Sequence, residues 1–110
     1  SVIRMAAGGV PGNGSPDPSS IATIYWDKKK AEVFILVNNL PKAPSDKQYQ
    51  LWAIVDNKPV SAGVFDVNEN SEYLLKMTNI SGPAVAFAVT LEKRGGSETP
   101  QGAMYVLGAI

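Results

Sequence analysis

The 110-residue chain reads as an all-β protein, a single domain folded as an antiparallel β-sandwich of about seven to eight strands. Three observations predict this class. Apolar and polar residues alternate with a period of two along most of the chain, and the alternating stretches are rich in β-branched and aromatic residues. Apolar residues at helical spacing are nearly absent. Clusters of Gly, Pro, Asn and Asp interrupt the alternation at short, regular intervals, the rhythm of a sandwich or barrel rather than of βαβ units.

The elements follow in order. Val2–Met5 is the first candidate strand. Residues 6–20 (AAGGVPGNGSPDPSS) are Gly/Pro/Ser-rich and lack the apolar surface that offsets ordering entropy, so they read as a flexible loop leading to the next strand. A tail comprising all of Ser1–Ser20 is the alternative. Ile21–Trp26 and Ala31–Val37 form a strand pair across Asp27–Lys30, and the Lys28-Lys29-Lys30 run reads as a solvated hairpin turn. Pro41 cannot donate to a sheet ladder and ends this pair; Pro44, Ser45 and Asp46 supply turn chemistry before Tyr49–Val55 resumes as a strand. Turns at Asp56-Asn57-Lys58-Pro59, Asn68-Glu69-Asn70-Ser71 and Ser81-Gly82-Pro83 separate the strands Val60–Phe65, Glu72–Met77 and Val85–Glu92. Gly95 and Gly96 permit a sharp reversal toward the last strand, Met104–Ala109.

Two strands carry the core. In Val85–Glu92, Val85, Phe87, Val89 and Leu91 share one large apolar face, while Ala86, Ala88, Thr90 and Glu92 share a small one, as expected of a strand packed inward with a lightly covered back. In the Tyr49 strand both sides carry bulk, with Tyr49, Leu51, Ala53 and Val55 on one and Gln50, Trp52 and Ile54 on the other. Either this strand is central and covered twice, or Trp52 and Ile54 form an exposed patch suited to binding. Gly63, inside a strand, predicts a bulge or close contact with a bulky Trp or Tyr. Gln50 and Glu92 are polar groups among apolar neighbours; if buried, they must be hydrogen-bonded, by the Leu40–Asp46 or Lys93–Gln101 loops.

Composition narrows the chemistry. Ten basic residues balance ten acidic ones, so no basic stripe is available to neutralise phosphates and the segment is not expected to bind nucleic acid. No apolar run approaches the roughly 20 residues of a membrane helix, and Ser1–Met5 is too short and wrongly flanked for a signal peptide. The chain has no cysteine and no histidine, which removes disulfides, thiolate metal sites, the commonest general base and any Ser-His-Asp or Cys-His nucleophile. No catalytic, cofactor or metal residue is therefore expected. Asp56 with Asp66, and Glu92 with Glu98, are the remaining conceivable carboxylate pairs. Asp66–Glu72 alternates oxygen donors like a calcium loop, but Ser71 replaces the sharp-turn Gly and Met77 the terminal acid, so it reads as a polar turn. Gly9–Gly14 lacks the strand-into-helix setting and the following Lys of a phosphate loop. Asn13-Gly14-Ser15 and Asn79-Ile80-Ser81 match the glycosylation triplet, a pattern that often arises by chance.

Several strings taken together are more specific than any of these. Leu40-Pro41 with a second proline at Pro44 precedes Lys47-Gln48-Tyr49-Gln50-Leu51-Trp52. Ser61-Ala62-Gly63-Val64-Phe65 follows, then Ala88-Val89-Thr90-Leu91-Glu92, Gly95-Gly96-Ser97, Pro100 and Leu107-Gly108. In order and spacing, from Ile21 to Gly108, these blocks resemble the extracytoplasmic, C-terminal domain of the anti-sigma-K (RskA-like) factors. The chain departs from that pattern at Asn39, at Ser45-Asp46 and at Lys93, all turn positions.

The resemblance implies a family signature at Leu40, Pro41, Tyr49, Gln50, Leu51, Trp52, Gly63, Glu92, Gly95, Gly96 and Pro100, with structural roles. It also implies a non-catalytic sensing or shielding domain on the periplasmic face of a bacterial inner membrane. A membrane helix and a cytoplasmic region that binds a sigma factor would lie upstream of the given sequence, and a regulatory protease would be a partner. A stand-alone secreted or lipid-anchored module that binds a glycan or protein through Trp52, Tyr49 or neighbouring loops is the alternative.

Overall fold

The computed structural model describes residues 1–67 and 74–110. Eight strands appear among them: β1 (Val2–Ala6), β2 (Ile21–Asp27), β3 (Glu32–Asn39), β4 (Lys47–Val55), β5 (Lys58–Phe65), β6 (Leu74–Lys76), β7 (Ala84–Lys93) and β8 (Met104–Ala109). All eight belong to one antiparallel sheet in the order β5-β4-β7-β8-β1-β2-β3-β6. The expected all-β antiparallel class is borne out. The sheet curls until its two edges approach, for the Thr78 amide just past β6 donates to the Ala62 carbonyl of β5 at 2.8 Å. Curling lets one sheet supply both walls of its own interior.

The inner face is the core expected from the alternation. Ile3, Met5, Ile24, Val33, Ile35, Leu51, Phe87, Val89 and Val106 are buried there, and Trp26 meets Phe87 edge-on at 5.6 Å. The β4–β5 turn has two residues, Asp56 and Asn57, both with positive φ. Asp and Asn tolerate that region best among residues with a side chain, and the mirror-image turn matches strand twist.

The structure corrects the expected face of β7 at its start. Val55 pairs with Ala84 and Ile54 with Ala86, so Val85 is an extra residue in a bulge, and it stands 56% exposed instead of joining Phe87 and Val89 inside. The back of β7 is also not lightly covered, because Ala88, Thr90 and Glu92 are all buried. In β4 the double bulk resolves as a central strand. Trp52 is fully buried and Ile54 half-buried, so the exposed patch does not exist.

Gly63 does mark a bulge: Leu51 pairs with Gly63 but Trp52 with Ser61, leaving Ala62 as the extra residue. Its close neighbours are Thr78 and Met77, not an aromatic ring. Residues 6–20 carry two short 3-10 turns, Ala7–Gly9 and Pro11–Asn13, and Ala7, Val10 and Ser20 are buried. The expected turn Asn68–Ser71, the start of the Glu72 strand and most of the calcium-like segment Asp66–Glu72 lie outside the described residues, as does the side chain of Asn13.

Candidate functional site

The residues expected as a family signature gather around β4 and act on both of its faces. Strand pairing aligns Gln48, Gln50 and Trp52 with Glu92, Thr90 and Ala88 of β7, and paired residues point to the same side of a sheet. On this side, away from the core, a chain of hydrogen bonds runs from Trp52 to Glu92. The Trp52 Nε1–H donates to Thr90 Oγ1 at 2.8 Å, and the Thr90 hydroxyl donates to Glu92 Oε2 at 2.6 Å.

Glu92 is 1% exposed, and it collects further donors from the loop that follows β7. The Ser97 hydroxyl reaches Oε1 at 2.8 Å, the Gly102 amide reaches Oε2 at 3.1 Å, and the Gln101 amide is shared between both oxygens at 3.2 and 3.1 Å. Burial pushes the Glu92 carboxyl up, but these hydrogen bonds outweigh it and hold the group below its ordinary value of 4.5. An ionised carboxylate is the one side chain that can accept so many donors without offering one of its own.

Gln50 forms the second half of this clasp. Its Oε1 accepts the Ser97 amide at 2.9 Å, while its Nε2 donates to the Ser97 carbonyl at 3.1 Å and to Ser61 Oγ at 2.7 Å. The loop thus crosses β4 and β7 as a strap. Gly96 fits this path because its φ is +87° and a Cβ would come within 2.8 Å of Val64 and 2.9 Å of Gln50 Oε1. At Gly102 a Cβ would overlap the Leu91 carbonyl oxygen. Gly95 donates its amide to Gln48 Oε1 at 2.9 Å, and Pro100 lies half-buried in the strap. At the strap's edge the Arg94 guanidinium meets Asp66 at 3.1 Å and the Ser45 carbonyl at 2.9 Å, tying in the preceding loop.

On the core side of β4, Tyr49 does the equivalent work for the Leu40–Asp46 loop. Its ring stacks on Phe65 at 5.8 Å and meets Tyr105 edge-on at 5.3 Å, and its hydroxyl donates to the Pro41 carbonyl at 2.5 Å. Burial, with Tyr105 and Asp17 nearby, holds the Tyr49 hydroxyl protonated far above its ordinary range. Leu40 anchors the same loop by burying its side chain in the core.

Of the two loops offered as partners for Gln50 and Glu92, only the one after β7 is used; the loop before β4 is held by Tyr49 instead. Of the two carboxylate pairs, Asp56 lies in the β4–β5 turn while Asp66 follows the far end of β5, so eight residues of strand separate them. Glu92 is enclosed by donors while Glu98 is exposed. Among the described residues no group of three or more acidic, His or Cys side chains is placed to hold a metal ion. Sequence reasoning offered the loop that ends at Gln101 but passed over Thr90 and Gly102 as clasp members. Thr90 carried a signal, a hydroxyl two residues from Glu92 on one strand face; the amide of Gly102, one residue past the expected loop, carried none.

Similarity to known proteins covers the same stretch of chain. A family profile described as "Anti-sigma-K factor rskA, C-terminal" matches residues 3–104. Curated relatives called anti-sigma-K factor RskA, from Mycobacterium sp. strains KMS and JLS, are 26% identical over 98 residues, covering 89% of this chain and 38% of each relative. One from Mycolicibacterium vanbaalenii is 26% identical over the same length, covering 39% of that protein. No solved structure matches the chain. The chain thus spans about two fifths of the length of the curated relatives it matches. With the match running from β1 to the start of β8 and taking in the whole clasp, the chain belongs to the family of anti-sigma-K factor C-terminal domains.

Proposed function

We propose that this domain is the extracytoplasmic, non-catalytic part of a membrane-anchored anti-sigma factor, and that it works by controlling access. In this reading an upstream membrane helix connects it to a cytoplasmic region that holds a sigma factor. The folded domain keeps a segment near the membrane out of reach of a regulatory protease. A change in its stability, or in what it binds, exposes that segment and lets sigma-dependent transcription begin.

The observation that carries the proposal is where the signature side chains are spent. Trp52, Glu92, Gln50 and Tyr49 are buried and used up in fastening two loops to the central strands; Glu92 borders a surface hollow with Lys47, Ser97, Gln101 and Gly102, but its oxygens there are already taken by the strap's donors. Residues used in this way make a closed, cooperative body, which is what a shield requires. Membership of the anti-sigma family supplies the regulatory context.

The test uses the full-length protein in its host with a sigma-dependent reporter. Trp52→Ala removes the largest fully buried side chain, a change worth about 3–5 kcal/mol, and is expected to raise reporter output several-fold while the full-length protein is clipped faster. If the purified domain carrying Trp52→Ala unfolds and the reporter stays silent, the shielding role is wrong.

A further inference from the structure

The clasp makes no use of one end of the sheet. Strand register brings to that end the start of β1, the β2–β3 and β4–β5 turns, the start of β7 and the end of β8. Val2 pairs with Tyr25, Val55 pairs with both Lys58 and Ala84, and the Ile110 amide donates to the Val85 carbonyl at 2.9 Å. Among the described residues six large hydrophobic side chains stand exposed, and five of them, Val2, Tyr25, Val60, Val85 and Ile110, belong to this end. Scattered exposed hydrophobics need no explanation, but their concentration at one end does.

The charges divide along the same axis. Lys28, Lys29 and Lys30 in the β2–β3 turn and Lys58 at the start of β5 lie at the same end, and Lys28 and Lys29 border one hollow with Val2 and Tyr25. Lys76 and Glu32 are also near and pair with each other at 3.4 Å. Among the described residues the acids that remain at this end are Asp56 and Asp27, and the Asp27 carboxylate is turned onto the hairpin's own backbone, accepting the Lys29 and Lys30 amides at 3.0 and 3.2 Å. The Lys28 ammonium lies over the Trp26 ring, 5.3 Å from its centroid, which holds the charge at this end. At the opposite end Asp66 pairs with Arg94 and Glu92 is buried among donors, so among the described residues Asp17, Asp46 and Glu98 there balance Lys42, Lys47 and Lys93. The excess of cations is thus confined to the hairpin end, although the formal net charge is zero.

Aliphatic and aromatic side chains near the strand ends, at the same end of the sheet as a cluster of lysines, fit the boundary between lipid headgroups and acyl chains. We propose that this end is a docking surface for an anionic phospholipid bilayer, with Lys28, Lys29, Lys30 and Lys58 on the headgroup phosphates and Tyr25, Val60 and Val85 entering the interface. The biological setting rests on the membrane-anchored reading above, for the start of β1 is at this end and an upstream helix would enter here. Docking would orient the domain over its own anchor and bring the shield down onto the membrane-proximal segment.

The test needs neither sigma factor nor protease, so its failure is separable from failure of that reading. The 110-residue chain is floated with vesicles of phosphatidylglycerol mixed equally with phosphatidylcholine, or of phosphatidylcholine alone, at about 0.1 M salt, where charges act over about 10 Å. Binding is expected to the anionic vesicles only and to be reversed by high salt. Each lysine near such a surface raises partitioning about fivefold, so Lys28→Gln with Lys29→Gln and Lys30→Gln should lower it about a hundredfold. Lys42→Gln with Lys93→Gln, at the far end, should leave it unchanged. Tyr25→Ser with Val85→Ser should weaken vesicle binding severalfold and leave retention on heparin, a soluble polyanion, unaffected. No binding to anionic vesicles, equal binding to neutral ones, or indifference to the lysine variants would overturn the proposal. Loss of heparin retention in parallel with vesicle binding, or no effect of the apolar variants on either, would replace it with general polyanion or protein capture.

Discussion

Glu92 is the residue on which most of the site's energetics turn. A buried carboxylate is costly unless it is hydrogen-bonded from all sides, and here side-chain and backbone donors from both β7 and the strap converge on it. Glu92→Gln keeps the shape but turns an amide N–H₂ toward donors that need an acceptor. The variant is expected to lose about 3 kcal/mol, read as a lower urea midpoint with unchanged slope. The pH dependence has a definite sign. Because the native carboxyl lies below the ordinary 4.5, its contribution is complete above that value and fades as the pH falls through the lowered native value. Denaturation midpoints should therefore decline below about pH 4.5 in the parent and decline less steeply in Glu92→Gln. Equal slopes in the two proteins would show that another group governs acid sensitivity.

Among the elements, the strap after β7 shows how a loop can be as determined as a strand. Its amides at Gly95, Ser97, Gln101 and Gly102 are each received by a side chain from β4 or β7, so the loop has few ways to move without stranding a donor. Gly102→Ala tests this from the loop side. The added methyl would overlap the Leu91 carbonyl, lifting the strap and breaking its bonds to Glu92. A loss of roughly 2–3 kcal/mol is expected, with faster amide hydrogen exchange over 95–103 than elsewhere. Unchanged protection there would mean that the strap accommodates the methyl and is looser than its hydrogen bonds imply. The bulges at Ala62 and Val85 likewise have local consequences. Each adds one residue to a strand that otherwise alternates, and the Val85 bulge turns a valine out of the core.

For the molecule as a whole, the eight strands described form one curled sheet with side chains packed on both of its faces. Trp26 lies in the core inside the curl, and Trp52 lies on the opposite side of β4 near the strap. Variants Trp26→Phe and Trp52→Phe leave one fluorescent reporter each, on either side of the sheet. If the two layers melt together, each variant's fluorescence midpoint coincides with its own circular dichroism midpoint. A Trp52 signal that is lost before the strands melt would show the strap side opening on its own, a partial unfolding directly relevant to a shield.

The order of elements was legible in the sequence because alternation and turn residues are local signals. The strand Met104–Ala109 coincides with its expected span, and the Asp56-Asn57 turn falls where its residue types demand. The polar pair Gln50 and Glu92 could be singled out in the same way, since a polar residue inside an apolar strand must be answered by a partner. Non-local geometry was not legible. Nothing in the string says that the strap rather than the loop before β4 answers Glu92, that Val85 is squeezed out by a bulge, or that the lysine hairpin shares an end with Tyr25, Val60 and Val85. Those facts depend on the pairing of strands distant in sequence and on the curl that joins the edges. By itself the sequence determined the β class, the strand list and the family. The tertiary structure decided which side chains meet, because register and sheet closure are properties of the assembled chain.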